Sequence, residues 1–451
     1  MPVLPIDGGR YGSAEMKEIF EEDRKLKYEL EFEAAVAQAQ AEVGLIPREA
    51  ATEIVNVIAS NKITVEKVKD FEKISDHDIA ALVEAISELC SNDTKPWVHY
   101  GLTSNDVVDT SVSMQMRDAF EIIVRKVQGL IKELLIKAEQ NRELPAVGRT
   151  HGQHASIISF GLKFAIWSNE MIDHLTRIEE AKKRFLLCKT LGVVGTGSLM
   201  KEKALIVQEL VSEKLDLFPT EAATQVIPRE RYAEMIFVLT LIGSTLDKIA
   251  IEIRNLQRTE IGEVQELFKK GQMGSSAVPV KRNPIKSERV SSLSKILRSN
   301  LSVSLENIPL WHERDLSNSA NERFIIPMAA ILIDEMLVTM TNIIRGLQIN
   351  KNKIRNNIEI TKGQIFAEFV LQLLISKGVP RLDAYRNIQS TAFKSIESGL
   401  HFLDSIKQEK EIMENITLDE LDLIFNPNNQ MSASSQIIDN IIEKSKSKMK
   451  L

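Results

Sequence analysis

The chain has 451 residues, 43% of them hydrophobic and 27% charged, which is the mixture of a water-soluble globular protein long enough for two or three domains. A formal net charge of -6 and an aromatic content of 5% exclude a basic, base-stacking surface, so no nucleic-acid partner is expected. The two cysteines, Cys90 and Cys188, share no C-x-x-C spacing, which removes a disulfide scaffold and a cysteine-rich zinc site. No metal or cofactor is expected, no apolar run reads as long enough to span a bilayer, and the opening residues lack the order of a signal peptide. A cytoplasmic protein with no membrane partner is therefore expected.

In chain order, residues 1–104 read as short helices broken near 44–47 and 92–96. From 105 to about 141 an apolar stripe runs through Val108, Val112, Met116, Ala119, Ile123, Val127, Leu130 and Leu134. At 1.5 Å per residue that helix is about 50 Å long. A second long helix is expected over 156–187. The third carries Met235, Leu239, Ile242, Leu246, Ile249, Ile253 and Leu256, whose alternating steps of four and three form a heptad seam. A fourth is expected over 323–347. From about 349 onward the helices shorten again, with breaks near Gly363, "KGVPR" and "NPNNQ". No convincing strand alternation is found, and the basic tail "KSKSKMKL" reads as a solvated end. Helices this long need partners for their seams. The expected plan is all-α, with a helical domain at 1–104, a long-helix bundle at 105–348 and a helical domain at 349–451. Stripes wider than one chain can cover imply an oligomer.

Polar chemistry collects where the helical pattern breaks. "VHYGLTSNDVVDT" places His99, Thr103, Ser104, Asn105 and Asp106 at a helix start, where free N–H groups serve either a plain cap or a bound anion. "GRTHGQHAS" gathers Arg149, His151 and His154, and a neutral imidazole suits proton transfer. "TQVIPRERYA" holds Gln225, Arg229 and Arg231, and "WHERDLSNSANER" holds Arg314, Ser319 and Arg323. "GSSAVPVKRNP", 274–284, has no helical period but carries two hydroxyls, two cations and an amide. "GVVGTG" at 192–197 follows a charged helical segment rather than a strand, so it does not read as a dinucleotide fingerprint. Neither a P-loop nor a G-x-S-x-G elbow occurs.

The loop 274–284 resembles the fumarase/aspartase superfamily signature G-S-S-x-M-P-x-K-x-N-P, with Val278 where the family usually has Met. "HYGLTS" and "GRTHGQ" match the superfamily's other two regions in the right order. Within that superfamily the chain resembles the adenylosuccinate lyase family, through "RYGSAEMKEIF", "SDHDIAALV", "TQVIPRERYA", "RTEIGEV" and "SLENIPLWHERDLSNSANER". The resemblance implies β-elimination of fumarate from adenylosuccinate, giving AMP, and from SAICAR, giving AICAR. It also implies a homotetramer with a long-helix core and active sites shared between subunits. Another member of the superfamily, such as an argininosuccinate lyase or a cycloisomerase, and an inactive structural relative are the alternatives.

By match to the family, Ser275 would be the base, His151 the general acid, and His99 its helper. Lys281 and Asn283 suit the dianion that forms when a proton leaves carbon beside a carboxylate. Ser276 would bind a carboxylate, with Arg282 in the same loop, and Thr103 and Ser104 would hold the succinyl carboxylate. Arg10, Tyr11, His77 and Asp78 would contact the nucleotide. Gln225, Arg314, Ser319 and Arg323 would complete the pocket, the arginines as forks for phosphate or carboxylate. The loop 270–284 is expected to close over substrate as a lid.

Overall fold

Long apolar stripes become long helices. In the computed structural model, which describes residues 4, 6–268, 271 and 277–449, five helices dominate: Ser104–Gln140, Phe160–Phe185, Glu230–Leu256, Ile285–Glu306 and Ser319–Gly346. The all-α class holds. The heptad seam from Met235 to Leu256 is buried at all seven positions. Burial of each such aliphatic side chain contributes about 1.5–3 kcal/mol. The Ser104–Gln140 stripe is buried from Met116 to Leu134, but Val108 and Val112 at its start are only half-buried.

Three expectations need correction. Glu22–Glu42 is a 21-residue helix within a region read as short helices. Strands are present as well: Pro145–Thr150 pairs antiparallel with Gln153–Ser159, and two-residue pairs join Leu187–Cys188 to Phe218–Pro219 and Val264–Gln265 to Gln348–Ile349. Finally, Ser319–Gly346 is long and apolar enough to cross a membrane by length and composition. Ile326, Ala329, Ala330, Ile333, Met336, Leu337 and Met340 along it are nevertheless buried, as in the core helix of a folded domain.

The chain forms two compact units, each gathered from three stretches. The first comprises 1–127, 174–244 and 292–338, and the second comprises 128–173, 245–291 and 339–451. Each long helix gives part of its length to each unit. In the second unit the strand hairpin lays Val147 and Ile157 against Ile358, Ile365, Phe366 and Met431. A separate cluster including Val370, Leu374, Phe402 and Leu421 closes the C-terminal helices.

Gly161, in the first turn of Phe160–Phe185, marks the closest backbone approach in this unit. A Cβ there would lie 2.3 Å from the Ala138 carbonyl oxygen and 3.0 Å from the Asn141 carbonyl carbon. Backbone cannot step aside as a side chain can. Gly161→Ala is therefore expected to destabilise the protein by about 1–3 kcal/mol, read as a lower urea midpoint.

Candidate active site

The start of Ser104–Gln140 is built by two aspartates on one helix face. Asp106 accepts from the Thr103 N–H at 2.8 Å and the Gly192 N–H at 3.1 Å, and pairs with the wholly buried Lys189. Asp109 takes both ends of the Arg229 guanidinium, at 2.9 and 3.0 Å, and the Ile227 N–H at 2.7 Å. The glycine-rich stretch that mimics a nucleotide fingerprint is thus a loop tied to Asp106. These bonds occupy the aspartates and the Thr103 N–H, and leave Thr103 and Ser104 lining a cavity of about 680 Å³ in the first unit.

Eight of the expected residues share that cavity: His77, Asp78, Thr103, Ser104, Gln225, Arg314, Ser319 and Arg323. His77 caps the helix Asp78–Glu88 by accepting from the Ala80 N–H, and its Nε2 lies 3.4 Å from the Ser104 hydroxyl. Arg323 reaches Asp78 at 3.3 Å. Arg314 is held by Gln225 Oε1 at 2.9 Å, and its buried Nε has no hydrogen-bond partner. Among the described residues no carboxylate pairs with Arg314. Burial lowers its pKa, yet an arginine stays charged at neutral pH. Arg314 thus stands in the cavity with a helix N-terminus and with no carboxylate bonded to it among the described residues, while Asp109, Glu322 and Asp315 act on it at longer range. Val108 and Val112 also line it, which is why the apolar stripe starts only half-buried.

His99, Arg10 and Tyr11 belong to the first unit but do not line the cavity. His99 has φ +58°, and its Nδ1 lies 2.6 Å from Glu33 Oε1. Arg10 stacks over Tyr11 at 5.9 Å. The next residues are fixed by Glu335 on the Gly12 N–H, 3.1 Å, and Asp334 on the Ser13 N–H, 2.8 Å.

His151, Lys281, Arg282 and Asn283 lie in the second unit. Thr150 pairs with Gln153, so His151 and Gly152 are the two loop residues of a hairpin. Both have positive φ, +52° and +73°, as a type I′ turn requires. The imidazole is exposed at the tip. The hairpin is anchored by Arg149, which binds the wholly buried Glu263 at 2.5 and 3.3 Å, while Asn357 donates to the same carboxylate at 2.8 Å. His154 is held neutral at physiological pH, because burial and then the Arg149 charge push its pKa down. Arg282 lies over Phe268 at 5.7 Å, and its carbonyl accepts from Gln257 at 2.9 Å. The helix Ile285–Glu306 begins just after Pro284, with Glu266 accepting from the Ser287 N–H at 2.8 Å. Ser275 and Ser276, and with them much of the expected lid, lie outside the described residues.

Residues that the sequence reading did not assign to the site also line the cavity: Lys25, Asp109, Arg229, Tyr232, Asn318 and Glu322. Arg229 stood out in its motif, but nothing along the chain links it to Asp109, 120 positions away. Glu322 Oε1 comes within 3.0 Å of Arg229 Nε, although neither atom has a hydrogen-bond partner, and Asn318 donates to its other oxygen at 3.0 Å. Arg229 is already matched by Asp109. Burial therefore dominates, and the Glu322 pKa rises to about 7 despite Arg229, with Asp109 adding to the rise.

A carboxyl whose folded pKa lies above its unfolded value favours the folded state at low pH and loses that advantage as pH rises through the folded value. For Glu322 the loss runs from the ordinary carboxyl value of 4.5 up to about 7, where it is complete. Replacing it by Gln removes the titration. Relative to wild type, the Glu322→Gln variant is expected to gain thermal stability between pH 5.5 and pH 8. Paired melting curves at the two pH values check this, and an unchanged difference in midpoint would contradict it.

A family profile described as lyase matches residues 9–296, and one described as the adenylosuccinate lyase C-terminus matches residues 363–441. Adenylosuccinate lyases from Methanocaldococcus jannaschii and Methanothermobacter thermautotrophicus are each 42% identical to the chain. The alignments cover 99% of this chain in both cases, and 97% and 99% of those relatives. The fold matches a solved fumarate lyase from Mesorhizobium sp. BNC1 with TM-score 0.87 and 26% identity, over 98% of this chain and 100% of that one. It also matches a 3-carboxy-cis,cis-muconate lactonizing enzyme from Pseudomonas putida with TM-score 0.86 and 25% identity, over 99% and 100%. The fold alone thus spans more than one reaction, whereas similarity along the full sequence singles out one, and the chain belongs to the adenylosuccinate lyase family.

Proposed function

We propose that the chain splits adenylosuccinate into AMP and fumarate, and SAICAR into AICAR and fumarate, by β-elimination. The observation that carries this reading is the cavity of the first unit, with Arg314 unmatched by any carboxylate among the described residues and Thr103 and Ser104 at a helix start. That cavity suits a substrate rich in carboxylate and phosphate oxygens.

In the proposed step Ser275 takes the proton from the carbon beside a succinyl carboxylate. The freed electron pair forms the new carbon–carbon double bond as the carbon–nitrogen bond breaks. His151 gives a proton to the departing nitrogen. Lys281 and Asn283 stabilise the negative charge that develops on the carboxylate, and Ser276 and Arg282 hold the same end of the substrate. The exposed hairpin tip suits His151 to this role, since a ring there can meet a ligand without reshaping its own unit. No metal or cofactor is needed for these steps. An argininosuccinate lyase is the nearest alternative, and full-length identity with adenylosuccinate lyases stands against it.

The active form is proposed to be a cytoplasmic homotetramer whose sites draw residues from several subunits. Two observations support this. The expected residues divide between the units, and large apolar side chains stay exposed along the bundle helices, among them Ile136, Ile166, Phe237, Ile251, Ile296 and Leu305.

Purified protein should change the ultraviolet absorbance of adenylosuccinate and of SAICAR but not cleave argininosuccinate. Ser275→Ala and His151→Ala should each retain the fold and lose at least about a hundredfold in kcat. Near wild-type rates in both would overturn the assigned roles. For shared sites, refolding His151→Ala together with Arg314→Ala should recover part of the activity that each lacks alone. A mixture as inactive as its components would contradict sharing between those two segments.

A further inference from the structure

Glu33 sits in the middle of the Glu22–Glu42 helix, beside the fully buried Phe32, and is itself 3% exposed. A carboxylate so placed has lost its water and needs a matching positive group. Among the described residues its side chain makes one hydrogen bond, to His99 Nδ1 at 2.6 Å. His99 reaches it from a turn that carries backbone strain, at φ +58° on a residue with a Cβ. The turn is held in place by Gln40, whose amide donates to the Tyr100 carbonyl at 2.7 Å, and by the edge contact of Trp97 on Tyr100 at 5.3 Å. With Nδ1 committed to the carboxylate, Nε2 is the nitrogen left to act, and it has no hydrogen bond among the described residues.

The charged groups that act on the ring are Glu33 and, more weakly, Asp106 at the start of Ser104–Gln140. Asp106 is already matched by Lys189, so Glu33 is the carboxylate that His99 must balance.

We propose that Glu33 is a positioning residue that keeps His99 doubly protonated, so that His99 serves as a fixed cation for an anionic oxygen of the substrate and not as a relay for the leaving-group proton. This rests on the lyase reading above. Burial by itself would push the imidazole pKa down, but the charge and hydrogen bond of Glu33 outweigh it, and the net displacement is upward. An imidazole ion-paired with a buried carboxylate favours its cationic form, which binds anions well and exchanges protons poorly. Proton delivery is then left to His151.

The test reads His99 directly. Exchange of the imidazole C2 hydrogen, followed by mass spectrometry on the full-length protein from pH 5 to 9, gives the midpoint for each histidine peptide. In wild type the His99 midpoint should lie above the ordinary value of about 6.5. In Glu33→Gln, which keeps the shape and removes the charge, it should fall by at least about one unit. The catalytic arm follows in sign. Because the required form is the protonated one, the variant's deficit in kcat/KM should widen as pH rises from 6 to 8, and it should appear mainly in KM. An unchanged midpoint, or a deficit equal at every pH, would overturn the proposal. If Glu33→Gln fails to fold, the wild-type midpoint decides alone, and a value at or below 6.5 sinks the idea. Failure of wild type to cleave adenylosuccinate would instead refute the lyase reading, whatever the exchange of His99 shows.

Discussion

Two aspartates one helical turn apart, Asp106 and Asp109, decide how the first unit closes. Each binds a buried cation from a distant segment, Lys189 or Arg229, and each also binds backbone N–H groups in those segments. All four side chains are at most 2% exposed. An ion pair this deep gains little over apolar packing of the same volume, but leaving one partner alone costs about 3–5 kcal/mol. The pairs therefore act less as glue than as a requirement: the chain can close only with the loops at 189–192 and 227–229 against the first turns of Ser104–Gln140. That requirement brings the segment bearing Gln225 to the hydroxyls of Thr103 and Ser104, and Gln225 in turn holds Arg314.

The same pairing sets the charge of the cavity. Asp109 consumes Arg229, so Glu322 is left with a cation already spent, and burial keeps its pKa near neutral. Arg314 is left with an amide rather than a carboxylate. A guanidinium bonded to an amide and a carboxyl that can take up a proton let this pocket accommodate added negative charge. An arriving anion satisfies the first and raises the second further, so binding should draw a proton to Glu322 rather than expel one.

How much of this the sequence discloses depends on whether the signal is periodic or pairwise. The seam from Met235 to Leu256 is readable because seven apolar side chains repeat on one face, and all seven are buried. The Ser104–Gln140 stripe is equally readable, but its first members serve a cavity instead of a core, and period alone cannot distinguish those uses. Ile285–Glu306 goes unnoticed because hydroxyl and charged residues dilute its stripe. The strand hairpin is missed for another reason. Its loop is His-Gly, not the Asn-Gly that usually signals a type I′ turn, and its strands begin with Pro145 and Gln153 rather than a run of β-branched residues. The site motifs are legible as clusters of polar residues at helix breaks. Glu33, Asp109 and Glu322 are not, since a lone carboxylate within a helix looks the same whether it faces water or a buried cation.

Backbone conformation supplies a marker that composition does not. Three histidines, His99, His151 and His312, have φ near +50 to +60°. An L-residue enters that region at a cost of about 1 kcal/mol or more, and it remains there only when its surroundings over-determine it. For His99 the determinant is Glu33 behind the ring. For His151 it is a two-residue hairpin loop anchored through Arg149 to Glu263. His312 precedes Glu313, whose carbonyl accepts from the Gln225 N–H at 3.3 Å, so its turn sets the approach to Arg314. In each case the strain lies at a bend between a rigid anchor and a side chain proposed for the site. A relaxed extended or helical residue at these bends would send the chain elsewhere, and the ring or guanidinium would miss its place. The fold thus spends local strain to fix direction at these bends, as it also does at Asn61, Asp76, Lys201, Asp216 and Lys362.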